Sequence, residues 1–238
     1  MITALIFAGG TGQRMKSTSK PKQFLQMRGK PIIIYTLEYF EEHPEVDNIC
    51  IVCLEGWIEQ LEKYIKKYGI SKVKWLVKGG DTCHKSIFNG LLAIKKECDN
   101  NSIILIHDGV RPLISNELIS ENIQMVREKG NAITVEKALE TVAETDDKRN
   151  IINVPDRNYM YMAKAPQSFY FHDIFQAYCR SIDDKIETID SAHLMNIYGV
   201  KLNTVTSTPY NIKITTPSDF YICRAIMESR ENTQIFGL

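Results

Sequence analysis

The sequence predicts a three-layer α/β domain built on a mainly parallel sheet, and three observations carry that prediction. Short apolar, β-branched runs alternate with segments of helical apolar spacing as far as about residue 135, the pattern of successive βα units. A glycine-rich turn follows the first of those runs directly. The charged or glycine-bearing segments 8–22, 79–86 and 107–112 each follow a predicted strand, so they converge on the C-terminal strand ends, where such sheets bind ligands.

The bulk properties narrow the class. The chain has 238 residues, enough for one large domain with an excursion, and its 29 basic residues balance 29 acidic ones. That balance lacks the basic footprint of a nucleic-acid or anionic-membrane partner, so positive charge for a phosphate ligand must be local. No apolar run approaches the roughly 20 residues of a membrane span, and Met1 leads straight into the first strand; the expectation is a cytoplasmic protein. Six cysteines in such a chain are too sparse for a disulfide scaffold. Cys50 and Cys53 fall inside a strand-like run and read as two buried thiols rather than a redox or zinc motif.

The elements follow in order. Residues 2–7 have the length and β-branched content of a buried strand. Ala8-Gly9-Gly10-Thr11-Gly12-Gln13-Arg14-Met15 comes next, closed by Lys20-Pro21-Lys22-Gln23. Its glycines let successive amides turn toward one point, a concavity that attracts oxyanions, while Arg14 and Lys22 add full charge and Pro21 stiffens the approach. A G-x-G-x-x-G fingerprint would need glycine where Met15 stands, and no P-loop ending occurs, so the segment reads as a polyphosphate cradle of another kind.

Helical stripes are predicted over residues 31–42, 57–68, 82–98 and 116–129, and strands over 48–54, 73–77, 102–106 and 132–135. The rhythm then changes. Residues 141–144 and 151–154 read as two short strands joined by the polar turn 145–148, a β-hairpin arm within 136–160. A lone hairpin is marginal, so the arm is expected either to be exchanged between two subunits or to fold back on its own domain. Beyond it come helices at 172–180 and 190–198, a strand at 200–205, the segment 211–216 with Lys213 at a strand end, and a last helix at 217–228. The whole chain, 1–238, is expected to form a single Rossmann-like three-layer domain carrying this arm.

Seven motifs occur in order: Ala8-Gly9-Gly10-x-Gly12-x-Arg14-Met15, Pro21-Lys22-Gln23, Gly79-Gly80-Asp81 with Ser86, His107-Asp108-x-x-Arg111-Pro112, Asp156-Arg157-Asn158, Pro166-Gln167 and Asn211-Ile212-Lys213-Ile214-Thr215. With these the chain resembles the CTP-dependent polyol-phosphate cytidylyltransferases, across nearly its whole length. That family includes the methylerythritol-phosphate enzymes of isoprenoid synthesis and the ribitol-phosphate enzymes of wall, capsule or glycan synthesis.

The resemblance implies that a polyol phosphate attacks the α-phosphorus of CTP and that pyrophosphate leaves. It implies nucleotide contacts from Ala8, Gly9, Gly10, Thr11, Gly12, Gly80, Asp81, Ser86 and Gly109, and catalytic charge from Arg14, Lys22 and Lys213. Asp108, Arg111, Thr141 and Arg157 match acceptor-side positions, with Arg157 and the neighbourhood of Thr141 coming from a partner's arm in a homodimer. Mg²⁺ is implied as cofactor, bound mainly through phosphates, with no protein ligand assigned and Asp108 as the candidate. His107 reads as a hydrogen-bonded packing residue, and His84, His172 and His193 show no metal spacing.

Departures from the methylerythritol pattern fall on the acceptor side. Glu140-Thr141 stands where Asp-Thr is usual, and Ala165 and Ile189 stand where that branch has threonines. With Val110 after Gly109, the pattern is more similar to the ribitol-phosphate branch. Ribitol 5-phosphate is therefore the favoured acceptor and 2-C-methyl-D-erythritol 4-phosphate the alternative. Two further readings are an inactive CTP-binding regulatory homologue and a hexose-phosphate nucleotidyltransferase, the latter disfavoured by the short chain.

Overall fold

In the computed structural model, which describes residues 1–10 and 20–236, the first apolar run becomes β1 (Ile2–Ala8), an almost fully buried inner strand. A 3₁₀ turn over Lys22–Phe24 and a small ribbon, β2 (Gln26–Met27) with β3 (Lys30–Pro31), lead into α1 (Ile32–Glu42). Then follow β4 (Asn48–Cys53), α2 (Ile58–Lys67), β5 (Val73–Lys78), α3 (Cys83–Ile94), β6 (Ile103–Asp108), α4 (Asn116–Lys129) and β7 (Asn131–Lys137). The arm carries β8 (Glu144–Thr145) and β9 (Ile151–Asn153); β10 (Tyr161–Tyr170), α5 (Phe171–Asp183), α6 (Ser191–Ile197), β11 (Thr204–Thr206) and α7 (Pro217–Phe236) complete the chain.

The central sheet has seven strands in the order β11-β7-β10-β6-β1-β4-β5. All pairings are parallel except those of β10, which runs antiparallel to both β6 and β7. Helices cover both faces, as continuous apolar strands require. On one face Ile6, Ile51 and Leu105 pack with Ile33, Leu37 and Phe40 of α1, Leu61 of α2 and Ile123 of α4. On the other, Leu5, Val52 and Ile104 pack with Ile87 and Leu91 of α3, Ile174 and Tyr178 of α5 and Leu194 of α6. Each fully buried side chain of this size contributes about 1.5–3 kcal/mol, so the two layers anchor the strand ends firmly.

Local chemistry sets the helix ends. Ser115 caps α4 by accepting from Leu118 N, and Gly130 closes it with a φ of 88°. Before α7, the Asp219 carboxylate accepts from Thr215 N and Thr216 N while Thr216 Oγ1 accepts from Asp219 N, a reciprocal cap followed by Pro217.

The three-layer, mainly parallel architecture agrees with the sequence-based expectation, with differences in detail. Residues 161–170 form a full strand, because β10 gains its place from β6 and β7 on either side rather than from its own mixed composition. His107 and Asp108 belong to β6 itself. The arm's first strand is β8, later than the expected 141–144, because Asp146 captures the N–H groups of Lys148 and Asn150 and so sets the turn. Strand β11 covers only Thr204–Thr206, α3 stops at Ile94, and α7 extends to Phe236. Lys213 lies in an irregular segment, not at a strand end: Ile214 N donates to Val110 O, but no strand forms there.

Cys50 and Cys53 are buried in β4, where burial pushes both thiols up to about 12, as inert structural thiols require. His84 is likewise structural: its Nε2 lies 2.8 Å from Ser181 Oγ, and burial lowers its pKa.

Candidate active site

The strand order reverses beside β1, whose neighbours are β4 on one side and β6 on the other. At such a switch point the loops leaving adjacent strands part and open a crevice. A cavity of about 290 Å³ lies there, walled by Ala8 at the end of β1 with Gly9 and Gly10 after it, by Gly80, Asp81 and Thr82 before α3 and Cys83 and Ser86 within it, by Asp108 and Val110 at the end of β6, and by Lys22 and Lys213. Five separate stretches of chain thus meet, and their cations are Lys22 and Lys213 among the described residues. Arg14, Thr11 and Gly12 lie outside the described residues.

Each wall is held by specific contacts. Gln23 is buried and donates from Nε2 to Ala8 O at 2.6 Å and to Gly10 O at 3.3 Å, strapping the start of the glycine segment to the 3₁₀ turn that carries Lys22. Ser86 Oγ accepts from Gly80 N at 3.1 Å and donates to Gly80 O at 3.3 Å, so it folds the 79–81 loop onto α3. Only glycine fits that turn: a Cβ on Gly80 would meet Lys85 Cβ at 2.5 Å. Thr82 caps α3 by accepting from Lys85 N, leaving the first amides of the helix near the cavity. Asp81 stays solvent-exposed, its carboxylate 3.9 Å from Lys85 Nζ.

Charge is organised on Asp108. Its side chain is 5% exposed, and it pairs with Arg111 Nε at 2.7 Å and with Lys213 Nζ. Burial pushes the carboxyl up, but Lys213 and Arg111 outweigh it and hold Asp108 at about 2. The group is therefore an anion at neutral pH, tying a cavity cation to the floor. Next to it, burial drives His107 down to about 3; its ring is neutral, 3.4 Å from Arg111 O through Nε2 and packed edgewise on Phe40. His107 is a packing residue, as its sequence context implies.

The expected site residues that are described separate into three groups. Ala8, Gly9, Gly10, Lys22, Gly80, Asp81, Ser86, Asp108 and Lys213 all line the one cavity. Gly109 and Arg111 stand behind it: a Cβ on Gly109 would press on Ala8 Cβ at 3.2 Å, and Arg111 donates from Nη1 to Asn211 O at 3.0 Å while bracing Asp108. Thr141 and Arg157 lie outside the cavity wall. Thr141 is exposed on the arm, and Arg157 donates to Leu139 O at 3.0 Å, closing the arm's base. Sequence reading passed over Thr82, Cys83 and Val110 as cavity residues; Cys83 and Thr82 had a signal, since they occupy the first turn after Gly79-Gly80-Asp81. The Cys83 thiol is pushed up to about 11, chiefly by burial, and stays protonated.

The donor set also bears on a divalent ion. Asp108 is the cavity's buried carboxylate and already holds two cations, and among the described residues no three His, Cys, Asp or Glu side chains cluster as a metal site. Such donors suit an ion held mostly by a ligand's own phosphate oxygens.

Comparison with known proteins identifies the family. Residues 2–229 match the family model described as IspD, 2-C-methyl-D-erythritol 4-phosphate cytidylyltransferase. The chain is 49% identical over 238 residues to a ribitol-5-phosphate cytidylyltransferase of Vibrio parahaemolyticus, covering 100% of both chains. It is 45% identical over 240 residues to one of Streptococcus agalactiae, again covering 100% of both. A 2-C-methyl-D-erythritol 4-phosphate cytidylyltransferase of Clostridium botulinum is 35% identical, with 95% of this chain and 97% of that protein covered. Among solved structures, 4-diphosphocytidyl-2C-methyl-D-erythritol synthase of Anaerococcus prevotii superposes with a TM-score of 0.82 at 29% identity, covering 95% of this chain and 96% of that one.

Proposed function

The chain belongs to the 2-C-methyl-D-erythritol 4-phosphate cytidylyltransferase family, and we propose that within it this protein transfers the cytidylyl group of CTP to ribitol 5-phosphate. The observation that carries the acceptor is the contrast between 49% identity to a ribitol-5-phosphate enzyme and 35% to a methylerythritol-phosphate one, each over nearly the full chain. Ala165 and Ile189, which replace the hydroxyls of the methylerythritol pattern, weigh against the alternative acceptor.

The reaction needs alignment and charge more than proton transfer. A phosphate monoester has a second pKa of about 6, so the attacking oxygen is already anionic near neutral pH. It bonds to the α-phosphorus of CTP, the bond from that phosphorus to the bridging oxygen breaks, and pyrophosphate carries the electron pair away, leaving CDP-ribitol. No histidine lines the described cavity, and His107 is neutral and enclosed, in keeping with chemistry that uses no general base. Lys22 and Lys213 meet the negative charge that accumulates around the phosphorus, Lys213 from a position set by Asp108. Arg14 is assigned the same duty from the glycine segment. Magnesium bound with CTP would screen its phosphates, with Asp108 as the protein carboxylate beside it.

The arm supports a homodimer. Leu139, Ile151, Ile152, Val154 and Tyr159 are all more than half exposed, an apolar surface that a second copy would cover. In that assembly Thr141 and Arg157 would reach the partner's acceptor end. A cytoplasmic location is in keeping with CTP as substrate, and no helix among the described residues is long and apolar enough to cross a membrane.

Pyrophosphate release from CTP, measured with a panel of polyol phosphates and with magnesium present or chelated, tests the reading. Ribitol 5-phosphate should give the highest kcat/KM, with turnover dependent on the metal. A preference for 2-C-methyl-D-erythritol 4-phosphate would reverse the acceptor assignment; CTP binding without turnover of any acceptor would mark an inactive regulatory relative.

A further inference from the structure

Lys213 carries catalytic charge from a segment with no regular structure, and something must hold that segment in place. Its backbone is tied on one side by Ile214 N donating to Val110 O at 2.9 Å. On the other side the tie is Asn211, which is 1% exposed. Asn211 Nδ2 donates to Ala165 O at 2.7 Å, and its backbone carbonyl accepts from two cations, Arg111 Nη1 at 3.0 Å and Lys164 Nζ at 3.3 Å. Lys164 is in turn paired with Glu136, and both side chains are only 12% exposed. Glu136 sits on β7 and Lys164 on β10, where the register of these two strands shifts between Ala163 and Gln167.

Charges therefore alternate along one continuous chain of contacts, Glu136–Lys164–Asn211 carbonyl–Arg111–Asp108–Lys213, from the root of the arm to the nucleotide cavity. Taking an ion pair largely out of water costs desolvation energy that its attraction often only offsets, so the Glu136–Lys164 pair is poorly explained as a source of stability. Its geometry explains it better, because a cation held by Glu136 is aimed at the one carbonyl that also receives Arg111.

We propose that Lys164 and Glu136 are positioning residues for the nucleotidyl transfer, fixing the Asn211 carbonyl and through it Arg111, Asp108 and Lys213. Neither lines the cavity, and they act from outside it. The inference rests on Lys213 serving the nucleotide, as proposed above, and needs no particular acceptor.

Lys164→Met and Glu136→Gln, alone and combined with Lys213→Ala, test it through CTP affinity by calorimetry and turnover with ribitol 5-phosphate. Lys164→Met should weaken CTP binding and lower kcat by about tenfold, the scale of one lost charged hydrogen bond, with the acceptor KM moving least. In a Lys213→Ala background the same substitution should have almost no further effect, because the group it positions is gone. Lys164→Arg, which keeps charge and donors, should recover most of the loss. Additive losses in the double variant, or unchanged CTP affinity and kcat in a folded Lys164→Met protein, would overturn the proposal; Glu136→Gln serves if Lys164→Met fails to fold. Wild-type protein that binds CTP but turns over no acceptor would count against the functional reading alone, since the calorimetric arm needs no acceptor.

Discussion

The floor of the nucleotide cavity and the arm are opposite solutions to placing polar groups. At the floor, Asp108, Arg111 and Asn211 are buried and each finds partners inside the domain. On the arm, β8 and β9 pair only with each other, every residue of both strands is exposed, and apolar side chains face outward. The difference teaches which part is built to hold a geometry and which is built to meet something else. A buried network whose charges are paired keeps its shape without a ligand. An exposed two-stranded ribbon is marginal by itself and gains stability from what it docks against.

The largest effect should come from breaking the floor. Asp108→Asn leaves the buried Arg111 guanidinium without its anion and should cost about 3 kcal/mol in urea unfolding, near the low end for buried pairs because Lys213 is partly exposed. The same group sets an acid limit. Asp108 is held at about 2 against roughly 3.9 when unfolded, so its contribution is complete above about pH 4 and is lost as the pH falls toward 2. Between those values the stability of Asp108→Asn should decline less steeply than that of the wild type.

Next come the cavity cations. Lys22→Ala and Lys213→Ala should each lower kcat roughly a hundredfold with the fold intact, the scale of losing one charge contact in a transition state. Near-normal turnover of either variant would remove that residue from the catalytic set.

The arm should behave in the reverse sense. Deleting residues 141–153 removes both arm strands but no cavity residue, so circular dichroism and thermal unfolding of the rest should persist while sedimentation reports monomers. A dimer of undiminished affinity would show that the arm is not the interface. The smallest effect is expected from Ile152→Ser, an exposed site whose substitution should change monomer stability by no more than about 0.5 kcal/mol. A larger loss, read in a dilute monomeric sample, would mean that the arm packs on its own domain.

Particular residues show how far sequence reading reaches. The glycines after β1, Lys22 and the 79–86 loop were legible because each is announced by its neighbours: a strand, a turn, a helix start. Strand β10 was not, since Lys164, Pro166, Gln167 and Ser168 interrupt its apolar pattern, and only the edges offered by β6 and β7 make it a strand. Gln23 appeared in a motif without a role, which emerged only when its amide was seen to strap Ala8 and Gly10.

By itself, then, the sequence determined the α/β class, the central-sheet strands β1, β4, β5, β6 and β7, the anion-binding character of the first turn and the motifs that carry the family resemblance. These are properties of short stretches, where periodicity and residue type act directly on the backbone. Only the tertiary structure decided that Arg111 stands behind the cavity rather than on its wall, that Asp108 holds Lys213, and that Lys164 and Glu136 meet at Asn211. Those contacts join residues far apart along the chain, and no local pattern encodes which buried charge will find which partner until the sheet has brought their strands together.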